Sequence, residues 1–371
     1  MTERHIYLIR HGTPAFPHDK RHFYSRTDYD LSELGKEDAR LMAIRLKDML
    51  TLPFHFYTSP LLRSRRTAEA LTAIWPEAGA PTPVPDLMEL SMGDWEGMLF
   101  SDVERMAPDA FALRGIDPAL HTPPGGESHE ACQERVYRAI EAIVRSTTHD
   151  VVIVAHAMVN LIFLAKVLDW PLTGLRARAQ PYGSYNVLRL TASGYEPVIL
   201  GRMPTDAPSE AKIRHLQHAY RMYASVRQHT AAVRELAVSY AEAVNRKRRD
   251  TGAPLIDIPL LAAAADLHDI ARGEPQHAKA GAAILRYEGY PEVARIIGDH
   301  QDLPEEKIEA LDESSLLYLA DKNVLEDDVV GIESRFNDSY CLCDSDKSRA
   351  KHARRKEAAL RVEASLRAVL S

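Results

Sequence analysis

The 371-residue chain is poor in cysteine, with three residues at positions 132, 341 and 343. So sparse and odd a set builds no disulfide framework and points to a reducing compartment. The Cys341-Leu342-Cys343 pair is read as incidental rather than as a metal clip. Net positive charge is also missing. Lys and Arg number 46 against 53 Asp and Glu, a balance of −7, which removes the case for broad nucleic-acid binding. Long apolar runs are absent. The most apolar stretch, Val151 to Leu168, is interrupted by His156, Asn160 and Lys166, and it divides into a strand and a helix rather than a membrane span. Ile6 to Ile9 is too short for the apolar core of a signal peptide. There is no internal repeat and no P-loop. These absences predict a cytoplasmic protein with neither a nucleic-acid nor a membrane partner. What remains is a globular composition, 45% hydrophobic and 27% charged, at a length that suggests two domains.

Three apolar runs in the first half end on polar residues. Ile6 to Ile9 leads into Arg10-His11-Gly12. Phe54 to Thr58 leads into Ser59-Pro60 and a helix carrying Arg63. Val151 to Ala155 leads into His156. Short buried runs of this kind read as central strands of an α/β sheet, and ligands collect past the C-terminal ends of such strands. Two Arg and two His would therefore meet on one rim. That set suits a phosphoryl group, because Arg grips its oxygens in pairs and His can attack phosphorus.

In these residues the chain resembles the histidine phosphatase superfamily, which is phosphoglycerate mutase-like. The resemblance rests on Arg10-His11-Gly12, Ser59-Pro60-x-x-Arg63, Glu89 in LMELSMGDWEG, Gly126-Glu127-Ser128 and His156, and it covers about the first 200 residues. It implies a three-layer α/β/α fold and a phosphohistidine route. His11 attacks phosphorus, while Arg10, Arg63 and His156 hold the spreading charge. Glu89 protonates the departing alcohol, with Asp94, Glu96 and Glu127 as reserve candidates. For that role Glu89 needs burial to raise its pKa. No cofactor is implied for this half. Mutases share these residues, and the short domain favours a phosphatase acting on a small phosphorylated metabolite.

The loop Thr13 to Asp30 contains YSRTDYDLSELG, which is similar to the family segment flanking the substrate mouth and places Thr27 among the substrate-binding residues. Ser25 and Asp30 stand where Gly and Pro are common. His18 and His22 read as solvated. Ser32 caps a helix to about Leu50, and Pro60 opens the next helix at its first turn. Arg65 and Arg66 read as surface charge. Ser128 either closes the phosphate pocket or caps a helix over about Glu130 to Arg145. Ala157 follows His156 where Gly is usual. Further strands are expected at Asn186 to Thr191 and Pro197 to Leu200.

Residues 1–203 are read as the first domain and 204–209, rich in Pro and small polar residues, as a linker. In 210–371 every periodic segment reads helical. Here His229, the pair His268-Asp269, His277, His300 and Asp321 stand out. Adjacent His and Asp after the apolar run LLAAAADL suit a divalent transition ion. The set resembles the HD superfamily of metal-dependent phosphohydrolases, over about His229 to Phe336. The resemblance implies an all-α domain with one or two ions (Fe, Mn, Ni or Co). His229, His268, Asp269 and Asp321 would hold the first ion. His277 and His300 would complete a second, with Asp269 bridging. Arg272, where some members carry Lys, either neutralises substrate charge or is a surface residue. His215 and His218 read as surface or packing residues, and Asp346 to Leu370 as a solvated helix packed on this domain. Two complete residue sets predict a bifunctional phosphohydrolase whose second substrate is nucleotide-like. The alternative is a phosphatase with a non-catalytic, nucleotide-binding HD module.

Overall fold

The computed structural model describes residues 4–178, 180–249 and 251–371. The chain divides into two compact units, one running to Thr205 and including Tyr287–Gly289, the other made of Asp206–Arg286 and Tyr290–Ser371.

In the first unit six strands make one sheet. They are β1 (Arg4–Arg10), β2 (Phe54–Thr58), β3 (Thr82–Pro83), β4 (Asp150–Ala155), β5 (Tyr185–Thr191) and β6 (Gly194–Arg202), in the order β3-β2-β4-β1-β5-β6. The first four strands pair in parallel, while β5 and β6 run antiparallel. Parallel strands are covered on both faces, which is why β1 and β4 are apolar throughout rather than alternating. Helices α1 (Glu33–Lys47), α2 (Leu62–Thr72), α3 (Phe100–Met106), α4 (Pro108–Ile116), α5 (His129–Ser146) and α6 (Ala157–Val167) accompany the sheet. On one face Ile6, Leu8, Val151 and Ile153 pack with Val136 and Ile140 of α5 and Phe163 of α6. On the other, Tyr7, Ile9, Val152 and Val154 pack with Met42 and Leu46 of α1 and Leu71 of α2. The result is the expected three-layer α/β/α arrangement.

Local details adjust the sequence reading. Ser32 caps α1 through the Gly35 amide, but the helix ends at Lys47. Pro60 does not lie in the first turn of α2, because Leu61 is the N-cap and the chain is still extended there. The proline-rich residues 81–86 contribute the two-residue edge strand β3. Gly12 and Gly35 are in backbone contact. A Cβ on Gly12 would lie 2.2 Å from the Gly35 carbonyl oxygen, so α1 can approach the end of β1 only without one.

The second unit contains α7 (Glu210–Ala219), α8 (Ala224–Arg248), α9 (Ile258–Leu267), α10 (His277–Tyr287), α11 (Pro291–Gly298), α12 (Glu313–Asn323), α13 (Ile332–Tyr340) and α14 (Asp346–Leu370). It is not purely helical, because β7 (Val324–Leu325) and β8 (Asp328–Val329) form a small hairpin. Helix α9 packs against α8, α11 and α12. Its buried Ala263, Ala264 and Ala265 allow that close approach. Helix α14 covers α8, α12 and α13 with buried Ala359, Val362 and Leu366. Among the described residues no helix is long and apolar enough to cross a membrane.

Candidate active sites

The parallel pairing of β1, β2 and β4 puts their C-terminal ends on one edge of the sheet. Arg10-His11 leaves β1 there, Ser59 leaves β2 and His156 leaves β4. The predicted rim residues therefore meet. His11 is 2% exposed and His156 and Arg63 are fully buried. The two imidazole rings sit edge to face, 5.0 Å apart.

The hydrogen bonds fix both rings. His11 Nδ1 lies 2.8 Å from the Gly12 carbonyl oxygen, which only accepts, so Nδ1 carries the proton. Its Nε2 then presents a lone pair, to which Arg63 Nε donates at 3.1 Å. His156 has the opposite polarity. Arg63 Nη2 faces its Nδ1 at 3.5 Å, and its Nε2 donates to Ser59 Oγ at 2.8 Å. Burial holds the His11 imidazole well below its usual pKa, helped by Arg63 and Arg10, so the ring is neutral. Burial also depresses His156, reinforced by His11 and Arg63.

Arg63 is itself clamped. Its Nη1 donates to the Thr27 carbonyl at 2.8 Å and its Nη2 to the Ser25 carbonyl at 2.5 Å. The Thr27 amide and hydroxyl are in turn held by Glu96, at 2.9 and 2.6 Å. The loop named for the substrate mouth thus orients an arginine through main-chain carbonyls. Arg10 lies over the Tyr182 ring at 3.7 Å and donates to the Gln180 carbonyl, leaving a buried Nε with no hydrogen-bond partner.

Glu89 is half-buried beside the start of α6, accepting from the Leu90 amide at 2.8 Å and the Met158 amide at 3.3 Å. Burial raises its pKa, against the pull of those amides and of Arg10 and Arg63. The reserve acids separate from it. Glu96 overcomes burial through hydrogen bonds from Ser25 and Thr27, and Glu127 through Arg135, so both carboxyls are held below their usual range. Neither retains a proton to give. Ser128 caps α5, accepting from the Ala131 amide at 3.1 Å, which supports the capping alternative for that residue. Arg65, Arg66 and His18 are exposed, and His22 joins a ring cluster with Phe16 and Tyr24.

The second site lies wholly within the helical unit. His229 comes from α8, His268-Asp269 from the end of α9, His277 from the start of α10, His300 from beyond α11 and Asp321 from α12. All six converge. Asp269 lies 3.1 Å from His277 Nε2, and Asp321 lies 3.3 Å from His229 Nε2. The donor atoms of His229, His268 and Asp269 fall within 4.8 Å of one another, as do those of Asp269, His277 and His300. Asp269 belongs to both groups, in the position of a bridge.

Three of the imidazoles are aimed by the main chain. His229 Nδ1 donates to the Glu326 carbonyl in the β7–β8 turn, His268 Nδ1 to Ala265 and His300 Nδ1 to Ile297, at 2.7, 2.8 and 2.7 Å. Each Nε2 is left as an unprotonated donor facing the carboxylates. His268 Nε2 is fully buried with no hydrogen-bond partner. An orphaned buried nitrogen within a cluster of imidazoles and carboxylates fits a divalent ion, and the main-chain acceptors are the outer bonds such ligands use. Asp321 is kept well below the usual carboxylate range: burial pushes it up, but Lys322 at 2.5 Å together with His229, His268 and His300 more than offsets that. Arg272 is half exposed but bonds Asp269 at 2.7 Å, so it is tied to the cluster rather than free on the surface. His215 and His218 are exposed and do not take part.

Sequence reasoning missed several neighbours of these groups. Tyr182, Gln180 and Ser64 pack on the first set, and Lys322 and Gln301 on the second. Lys322 directly follows a named ligand, and that adjacency was the only signal available.

Comparison with known proteins finds two families in the chain. The family model for the histidine phosphatase superfamily (branch 1) matches residues 6–201, and the model for the HD domain matches residues 226–323. The chain belongs to the histidine phosphatase superfamily and carries an HD domain. It is 30% identical over 188 residues to glucosyl-3-phosphoglycerate phosphatase of Mycolicibacterium vanbaalenii, across 47% of this chain and 80% of that protein. It is also 30% identical over 195 residues to mouse 6-phosphofructo-2-kinase/fructose-2,6-bisphosphatase 1, across 53% of this chain and 39% of that larger protein. Among solved structures, Bacillus stearothermophilus YhfR is 28% identical with a TM-score of 0.48, over 53% of this chain and 96% of that one. Like the members of its family named for phosphatase activity, the chain is a phosphatase.

Proposed function

We propose that the chain is a bifunctional phosphohydrolase, whose first site hydrolyses phosphomonoesters of small metabolites through phosphohistidine. One observation carries this reading. His11 is a buried neutral imidazole with its Nδ1 proton held by Gly12 and its Nε2 lone pair facing Arg63.

On binding, phosphoryl oxygens take the donors of Arg63 that now rest on His11 and His156. Nε2 attacks phosphorus as the ester oxygen leaves, and Glu89 gives that oxygen its proton. The N–P bond forms as the P–O bond breaks, while Gly12 accepts from the ring that becomes positive. Glu89, now a carboxylate, removes a proton from the water that displaces His11. Arg10, Arg63 and His156 stabilise the equatorial oxygens in both steps. The relatives' names, glucosyl-3-phosphoglycerate phosphatase and fructose-2,6-bisphosphatase, support the substrate class.

In the HD domain, His229, His268, Asp269 and Asp321 would hold one divalent ion, and Asp269, His277 and His300 a second, with Fe, Mn, Ni or Co fitting such donors. Such an ion supplies Lewis acidity and an activated water for hydrolysis of a phosphate ester. The chain's own contribution is to fix the imidazole tautomers and to place Arg272 and Lys322 as cations beside the ligands. The three cysteines are free thiols, which suits a reducing cytoplasmic setting.

The test is phosphate release from a panel of phosphorylated metabolites, with and without chelator, in wild type, His11→Ala and Asp269→Ala. Two separable activities are expected, only one sensitive to chelator. A single activity abolished by His11→Ala and indifferent to Asp269→Ala would leave the HD domain as a binding module.

A further inference from the structure

We propose that α13 and α14 build a second anion subsite in the HD cavity, so that its ligand carries at least two phosphate groups. One phosphate would sit at the His/Asp cluster and another on Arg335, Lys351 and Arg355. The substrate class proposed here rests on the reading of that cluster as a phosphate-handling centre.

The cavity, of about 350 Å³, is lined by the cluster and also by these three cations. Its charges do not balance. Arg272 and Lys322 are matched by Asp269 and Asp321, at 2.7 and 2.5 Å. Against Arg335, Lys351 and Arg355 stands Asp302, which Arg355 engages with two bonds of 2.8 Å and Lys351 at 3.2 Å. One carboxylate leaves two positive charges over, before any divalent ion is counted.

Arg335 makes the imbalance specific. Among the described residues no carboxylate lies within ion-pair distance of it, and its Nε is buried with no hydrogen-bond partner. A charged donor shut away from water is unfavourable unless something accepts from it. The planar fork of a guanidinium fits two oxygens of a phosphate. Nearby, His352 bonds Ser339 at 3.1 Å, so further polar groups face the same space. A lone phosphate at the cluster would leave this wall uncompensated, whereas a di- or triphosphate chain, or a ligand phosphorylated at two places, satisfies both. The wall lies beyond residue 323, where the match to the HD model ends.

Titration calorimetry on the full-length, metal-loaded protein tests this with orthophosphate, pyrophosphate and tripolyphosphate at constant ionic strength. Tripolyphosphate is expected to bind at least about tenfold tighter than orthophosphate. Arg335→Gln and Lys351→Gln should each remove about fivefold or more of that advantage, with orthophosphate affinity and metal content held within about twofold. Arg361→Gln, on α14 but paired with Glu305 and Glu309, is the control and should change neither. Equal binding of the two anions by wild type, or equal weakening of both by the variants, overturns the subsite. Chelator-treated protein separates this from the reading it rests on. An Arg335-dependent preference in a protein that turns over no phosphate ester at this site keeps the subsite and sinks the hydrolase. Turnover without any preference does the reverse.

Discussion

Glu89→Gln isolates the proposed proton donor. Gln keeps the shape and one acceptor oxygen, so one of the Leu90 and Met158 amides retains its bond and the other faces an NH2 group. The folding penalty is about 1 kcal/mol, the worth of one such hydrogen bond. The catalytic penalty depends on the leaving group. An alkoxide needs the proton, and general-acid assistance is worth roughly 100- to 10,000-fold, or about 3–5 kcal/mol of barrier. A nitrophenolate leaves without help, so His11 should still be phosphorylated by an aryl ester. Rapid-quench measurements with p-nitrophenyl phosphate and with an alkyl monoester read the two cases. The expected result is an aryl burst slowed less than about tenfold, then slow turnover because water lacks its base, while the alkyl burst falls by the full general-acid factor. Bursts slowed equally for both esters would refute the assignment, because the residue removed would then not discriminate between leaving groups.

The pH profile follows from the same pair of residues. The His11 pKa is depressed below its usual 6.5, so the nucleophile stays unprotonated into acid, and kcat/KM falls only as pH drops through that lowered value. The Glu89 pKa is raised above its usual 4.5, so the acid form persists to higher pH and activity declines as pH rises through that value. An acid-side optimum is therefore expected for alkyl esters, and Glu89→Gln should abolish the alkaline limb. An alkaline limb retained in the variant would reassign the acid. Asp269→Asn should lower bound divalent metal, measured by elemental analysis, and should remove the thermal stabilisation that added metal gives wild type. Gly12→Ala puts a Cβ 2.2 Å from the Gly35 carbonyl oxygen, and a loss of about 1–3 kcal/mol is expected from denaturant unfolding.

Much of both sites was legible because it was written in short stretches. Arg10-His11-Gly12 ends a strand whose apolar run is unmistakable, and His268-Asp269 ends an Ala-rich helix in the same way. The six HD residues named from the sequence come together because each lies on, or just past the end of, a helix of one bundle. What was not legible depends on tertiary register. Gln180 and Tyr182 reach Arg10 only because β5 folds back beside β1. Ser128 had two equally good roles until its Oγ was seen on the Ala131 amide. Pro60 resembled a helix opener, but the extended Leu61 delays α2 by two residues. The largest omission was α14. Its mixture of Lys, Arg, Glu and Ala reads as an ordinary solvated surface, and only the packing against α12 and α13 turns Lys351 and Arg355 toward the cavity.

The carbonyl of Gly12 has a consequence for how this protein can change over time. It dictates which nitrogen of His11 is reactive, and it does so from the peptide backbone, which every amino acid shares. Side-chain replacement can erase the imidazole or crowd it, yet none can swap its two nitrogens while the strand end keeps its course. On the proposed mechanism the direction of attack is thus inherited with the fold, and evolution is left to vary the loops around it.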